Sequence, residues 1–239
     1  MKRLTTVAAA GIITASAALG TTTARAGLMS VRPVLIQVPA PGAVATLTLG
    51  NLGDRRTTLQ VRLFRWTQRN GRDVLSPTRT VVASPPLLRI APKRDSVIRI
   101  VRVSKQPVKG EESYRLVVDE IPERKKVRGM GVIIAVRYSI PVFFFEPGTS
   151  RPKISWAARR RGRSLILTAR NAGGRYERIV GLRISSGGRT QTITKGLAGY
   201  VLGNSARQWR LRVKIPVRGT ITVKGTGVHG RFAARIPVR

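Results

Sequence analysis

The chain is 239 residues long, with 45 Lys or Arg against 10 Asp or Glu, a formal net charge of +35 at pH 7, one histidine and no cysteine. These counts exclude a disulfide framework, a thiolate nucleophile, a Cys-rich zinc site and a multi-His metal site. The lone His229 sits between Val228 and Gly230 in an Arg-rich terminal stretch, and no nucleophile elbow accompanies it, so nothing assembles a Ser-His-Asp hydrolase.

Residues 1–26 have the make-up of a cleavable export signal. Lys2 and Arg3 precede an apolar stretch from Val7 to Gly20, and Ala24-Arg25-Ala26 supplies the small-x-small sequence after which a signal peptidase cuts. The stretch is too short for a hydrocarbon core of about 30 Å and is broken by Gly11, Thr14 and Ser16. The expected product is an exported, soluble protein. Beyond it the charge is uneven: residues 27–148 hold 21 basic and 9 acidic residues, whereas residues 149–239 hold 21 basic residues and one acid, Glu177. That shift, at Pro147-Gly148-Thr149-Ser150, predicts two units, 27–148 and 149–239.

Period-2 alternation dominates both units and predicts half-buried strands. In the first unit it covers residues 44–49, 59–66, 97–103 and 114–118, and in the second residues 163–169, 181–184, 210–215 and 220–224. Turn signals separate them at Asn51-Leu52-Gly53-Asp54, Asn70-Gly71, Asn171-Ala172-Gly173-Gly174 and Ser186-Gly187-Gly188. No stretch has a 3.6-residue period. Many short strands with Gly and Pro punctuation indicate all-β sandwiches or barrels.

Residues 129–145 depart from simple alternation. Val132, Ile134, Val136, Tyr138, Ile140 and Val142 form one apolar file, while Ile133, Ala135, Arg137, Ser139 and Pro141 point the other way. Pro141 has no N–H for a ladder, which predicts a place at or near a sheet edge. A long apolar edge is an aggregation hazard unless something is meant to add to it; a central strand buried on both faces is the competing reading.

The order of Arg32-Pro33-Val34, Trp66, Ala83-Ser84-Pro85-Pro86-Leu87-Leu88-Arg89-Ile90-Ala91-Pro92, Tyr114-Arg115-Leu116, Glu120-Ile121-Pro122 and Arg137-Tyr138-Ser139-Ile140-Pro141-Val142-Phe143 resembles the periplasmic pilus chaperones of the PapD-like superfamily. The last of these is similar to the archaic branch that serves spore-coat-U-type pilins. In the second unit the resemblance rests on Pro152-Lys153-Ile154-Ser155-Trp156 and on Asn171-Ala172-Gly173 with Arg178 downstream. The resemblance implies two immunoglobulin-like sandwiches arranged as an L, a non-enzymatic role without cofactor or metal, pilus subunits as partners in the periplasm, and delivery to an outer-membrane usher. It implies that the apolar strand is lent to a subunit lacking one of its own, which is strand addition between molecules. Val132, Ile134 and Val136 are then the inserted residues, with Tyr138 next in the file. The subunit's terminal carboxylate needs basic partners. The archaic pattern points to Arg115 and Lys153; Arg32, on the first strand, and Arg137 are the other candidates. Glu146 stands where the family usually has a basic residue. Whether a free molecule covers its edge by pairing with a second copy is left open.

Other residues have plainer readings. Trp66 and Trp156 are expected in the core or at the contact between units, Pro85-Pro86 in a rigid turn, and Arg159-Arg160-Arg161-Gly162-Arg163 in a solvated hairpin connection. Asp119 and Glu120 point in opposite directions on a strand, which argues against a shared acid-base site and for Glu120 pairing with a buried arginine. The charge alone also suits an exported binder of polyanions or of an anionic surface. The cations are spread through every strand, aromatics are 5 %, and no nucleic-acid-binding motif is present, so no nucleic-acid partner is expected. A fibre subunit is disfavoured by the two complete units.

Overall fold

The structure, a computed structural model, describes residues 29–122, 135–162, 164–217 and 219–239, and every regular element in them is a strand. In chain order these are β1 (Met29–Arg32), β2 (Ile36–Pro39), β3 (Val44–Asn51), β4 (Thr57–Arg69), β5 (Arg72–Pro77), β6 (Val81–Ser84), β7 (Leu87–Ile90), β8 (Asp95–Arg102), β9 (Glu111–Ile121), β10 (Arg137–Phe145), β11 (Ile154–Arg161), β12 (Ser164–Asn171), β13 (Glu177–Ser186), β14 (Arg189–Thr192), β15 (Leu197–Val201), β16 (Ala206–Arg212), β17 (Thr220–Gly227) and β18 (Gly230–Pro237).

β1–β10 form one sandwich. Its sheets run β1-β3-β8-β6 and β2-β10-β9-β4-β5, with β7 beside β4. Alternation puts Leu47, Leu49, Ile98 and Ile100 of the first sheet against Leu116, Val118, Ile140 and Val142 of the second, all buried. β11–β18 form the other sandwich, with sheets β11-β12-β16 and β14-β13-β17-β18 and with β15 beside β13. Its core brings Leu165, Leu167 and Leu211 against Leu182, Ile184 and Val223. No named strand pairs across the two sandwiches. The all-β fold expected from the alternation and the two sandwiches implied by the resemblance are the fold observed, and the described strands include every one expected from the alternation. β1, β2, β5, β6, β7, β11, β14, β15 and β18 are additional to it; β5, with five of its six residues exposed, has no alternation for a sequence to reveal. Arg159–Arg161 are the last residues of β11 rather than a connection, the turn lying beyond them at Gly162. The proposed export signal at residues 1–26, and residues 129–134 of the long apolar run, lie outside the described residues.

Each sandwich is braced by one buried asparagine in the same local sequence, Asn-x-Gly-x-Arg. The Asn51 amide donates to the carbonyls of Arg55, Ile90 and Ala91, and its oxygen accepts the Gly53 N–H. The Asn171 amide donates to the carbonyls of Arg175, Val201 and Leu202, and its oxygen accepts the N–H groups of Gly173 and Lys153. Both satisfy buried backbone groups that the ladders leave over.

The two sandwiches meet through a third cluster of buried side chains, Trp66 and Phe143 from the first and Tyr176, Tyr200 and Leu202 from the second. Phe143 stacks on Tyr176 with centroids 4.0 Å apart, and Tyr200 meets Trp66 edge-on at 5.4 Å. Polar bonds frame the cluster. Gln68 spans it through the Tyr200 carbonyl and the Leu202 N–H. The Glu111 carboxylate accepts Arg175 Nε at 2.8 Å and the Tyr176 N–H at 3.0 Å. The Asn70-Gly71 turn between β4 and β5, with both residues at positive φ, brings the Gly71 carbonyl to the Gln208 N–H. A Cβ on Gly71 would lie 2.5 Å from the Gln208 side chain, so only glycine fits.

Candidate functional site

β10 is paired unequally along its two sides. Over its whole length it runs antiparallel to β9, from Arg137 opposite Asp119 to Phe145 opposite Glu111. On the other side β2 joins it, in parallel, only from Val142 to Phe145. The Glu120 N–H bonds the Val136 carbonyl, so by antiparallel alternation Tyr138 and Ile140 turn their backbone groups to β9, while Arg137, Ser139 and Pro141 turn theirs outward. Among the described residues nothing pairs with that outward side between Arg137 and Pro141. Pro141, expected at an edge, sits where its missing N–H costs no bond to β9.

The two files of β10 have different surroundings. Tyr138, Ile140, Val142 and Phe144 pack on the first core, with Tyr138 half-buried at its margin. Val136, half-buried, precedes them in the same file; Val132 and Ile134 lie outside the described residues. The opposite file shares an outer sheet face with β9 and β4. There Pro141, Arg115 and Phe64 stand in one row and Phe143 and Ser113 in the next, with the Trp66 ring 5.9 Å from that of Phe143.

Arg115 lies at the centre of this face, largely withdrawn from water. Its guanidinium carbon sits 3.7 Å from the Trp66 ring centroid and 5.2 Å from that of Tyr200, a residue of the second sandwich. Its one hydrogen bond is long, from Nη1 to the Ser139 carbonyl at 3.5 Å. No carboxylate pairs with it among the described residues. Burial therefore lowers its pKa, with only weak opposition from Tyr200 and Asp73. The ring faces offset part of the desolvation, worth about 2 kcal/mol at a dry site. Two more donors of the same region, Trp66 Nε1 and Arg207 Nε, are buried without an acceptor. Buried donors without acceptors beside an open strand edge make a site suited to an anion that arrives with a strand.

The other basic candidates are placed differently. Arg137 and Arg62 flank Asp119 as a three-strand ion pair set, and the Arg137 bond holds the Asp119 carboxyl below its ordinary range. Among the described residues no arginine takes up Glu120 as the sequence led one to expect, and its Oε2 is buried without a partner there. Of these two neighbouring acids it is Asp119 that attracts arginines, because it shares the outer face with β4 and β10. Arg32 ends β1 in the other sheet and pairs with Asp95 at 2.9 Å, both side chains more than half exposed. Lys153 is exposed just before β11, and no hydrogen bond, ion pair or ring contact joins it to Arg115. Trp66 lies at the contact between sandwiches, as expected; Trp156 stacks on Trp209 and Phe232 at the side of the second core. Tyr200, Tyr176 and Arg207 were not anticipated, since nothing in the local sequence of the second sandwich marks them as facing the first.

A model of the pili and flagellar-assembly chaperone family, PapD N-terminal domain, matches residues 28–149. No curated protein matches the chain. Among solved structures, the CsuC-CsuE chaperone-tip adhesion subunit pre-assembly complex from archaic chaperone-usher Csu pili of Acinetobacter baumannii matches with a TM-score of 0.67 at 23% identity, over 89% of this chain and 100% of the matched one. The Salmonella enterica SafA pilin in complex with the SafB chaperone gives a TM-score of 0.62 at 16% identity over 88% and 97%. The E. coli chaperone DraB gives 0.57 at 20% identity over 89% and 98%.

Proposed function

Because the chain belongs to the pili and flagellar-assembly chaperone family, through its PapD N-terminal domain at residues 28–149, we propose that it lends the open side of β10 to incomplete pilus subunits of the spore-coat-U-like kind, holds them folded and capped, and hands them to an outer-membrane usher. The observation that carries this is the five-residue stretch Arg137–Pro141, bonded to β9 on one side and, among the described residues, without a strand on the other. Main-chain bonds from that side supply affinity without regard to sequence, and the apolar file supplies fit.

In this reading residues 1–26 direct export to the periplasm and are removed, residues 27–148 are the strand-lending unit and residues 149–239 complete the cleft. Val132, Ile134, Val136 and Tyr138 enter the subunit's core, continuing the file that Ile140 and Val142 begin in the chaperone's own. Each side chain buried there contributes about 1.5–3 kcal/mol before ordering costs. Arg115 receives the subunit's terminal carboxylate, since it is largely withdrawn from water and, like Lys153, pairs with no carboxylate among the described residues. Lys153 serves as a second contact at the start of the second sandwich, and Arg32 and Arg137 would first have to leave Asp95 and Asp119. On a free molecule, a second copy can cover the same edge.

Co-expression with a spore-coat-U-like pilin is expected to yield a soluble 1:1 complex that survives moderate salt. Arg115→Ala is expected to lower pilin recovery at least tenfold while the chaperone itself melts normally. Recovery unchanged by the substitution removes the anchor, and failure of the parent chain to form any complex removes the whole reading.

A further inference from the structure

The sheet β11-β12-β16 carries a charge pattern that strand lending does not use. Its register sets Arg159, Ile166 and Arg210 in one row and Arg161, Ser164 and Arg212 in the next. This is the face away from the core, since Leu165, Leu167 and Leu211 lie on the other. All four arginines are exposed, and none pairs with a carboxylate among the described residues. Strand geometry spaces their Cα positions about 7 Å along a strand and about 10 Å across β12. The single acid of residues 149–239, Glu177, is buried and accepts the N–H groups of Arg178 and Val228, so it does not pair with these arginines. Unrelieved like charge opposes folding, and a face that keeps it is matched to an anionic partner.

The make-up of the face selects among anions. The aromatics of this sheet, Trp156 and Trp209, are packed together on the opposite face. The arginine face therefore lacks the stacking platform of a single-strand nucleic-acid binder and the aromatic anchors of a protein interface. At the same end, Arg160, Ser164, Val213, Ile215 and Val217 line a cavity of about 290 Å³, so the cationic rows border a recess that has apolar side chains in its wall beside polar groups. Guanidiniums in rows beside apolar walls fit phosphate headgroups set over acyl chains.

We propose that this end of the second sandwich docks on an anionic lipid surface, with Arg159, Arg161, Arg210 and Arg212 taking headgroup phosphates. Docking leaves the β10 edge free, so the reading is independent of strand lending.

Sedimentation of the protein recovered from the periplasm with phosphatidylcholine vesicles, with and without phosphatidylglycerol, tests it. Binding is expected only with phosphatidylglycerol, to weaken as salt rises, and to fall about fivefold for each of the four arginines changed to Gln. A control with Arg55, Arg56, Arg69 and Arg79 of the first sandwich changed to Gln has the same net charge as the fourfold variant and is expected to bind as the parent does. Equal loss in both variants, no binding to either vesicle at low salt, or tighter binding to heparin or single-stranded DNA than to the vesicles overturns the proposal. Pilin capture by the fourfold variant is expected to be unchanged and reports that the variant is folded.

Discussion

At the scale of single residues, Arg115 is a costly side chain in the free protein. Its charge is partly desolvated against Trp66 and Tyr200 with no counter-ion among the described residues, and burial lowers its pKa. Replacing such a charge by an apolar chain of similar length is commonly neutral or stabilising. Arg115→Met is therefore expected to melt at or above the parent's temperature in calorimetry while losing subunit capture; a clear drop in melting temperature would mean that the arginine serves the fold. The buried asparagines behave oppositely. Asn171→Ala strands the carbonyls of Val201 and Leu202 and the N–H groups of Gly173 and Lys153, and is expected to cost about 3 kcal/mol in urea unfolding. The two Asn-x-Gly-x-Arg segments are plain in the sequence as turns. Their equivalence is not, because it consists of the distant carbonyls each amide reaches, 30 or more residues away.

At the scale of elements, β10 is paired unequally along its length. Val142–Phe145 hold the sandwich between β2 and β9, and Arg137–Pro141 have no strand on one side among the described residues, the side that the proposed function gives to a guest. The Ser139 N–H points to that side, two residues before a proline that the strand already tolerates. Ser139→Pro is therefore expected to leave the fold intact and to weaken pilin binding about tenfold, since one bond is lost and a guest carbonyl is left unpaired. A complex of undiminished affinity in a titration would show that the guest does not pair along this side. The apolar file and the edge position of Pro141 were legible from alternation and from the missing N–H. Where β2 stops pairing was not, because that depends on how Pro33, Val34 and Leu35 carry the chain from one sheet to the other. The short strands β6 and β7 escaped for a related reason: four residues beside Pro85-Pro86 hold too few alternations to stand out.

At the scale of the whole molecule, the setting of the two sandwiches decides whether Arg115 and Tyr200 lie together, and Glu111 is one of the residues that fasten it. Arg175 grips its carboxylate from the second sandwich while also donating to Gln37 and covering the Phe145 ring. Burial pushes the Glu111 carboxyl up to about 7, outweighing the opposing pull of Arg175 and the Tyr176 N–H. The unfolded chain releases this proton near its ordinary value of 4.5 and the folded one only near 7, so between those values the folded state binds more protons. Stability from this group is thus greatest below about pH 4.5, falls as pH rises, and is fully lost above 7. The shift corresponds to about 3 kcal/mol at most. Glu111→Gln keeps an acceptor for the Tyr176 N–H but has no proton to lose. The stability of the parent minus that of the variant is expected to decline from pH 4.5 to 7 and then level. Taking this difference cancels the carboxylates that titrate with the opposite sign, such as Asp119, whose pKa is lowered. A difference that instead rises with pH would mean that the arginine clamp, not burial, governs Glu111, and that the junction tightens as the carboxylate ionises.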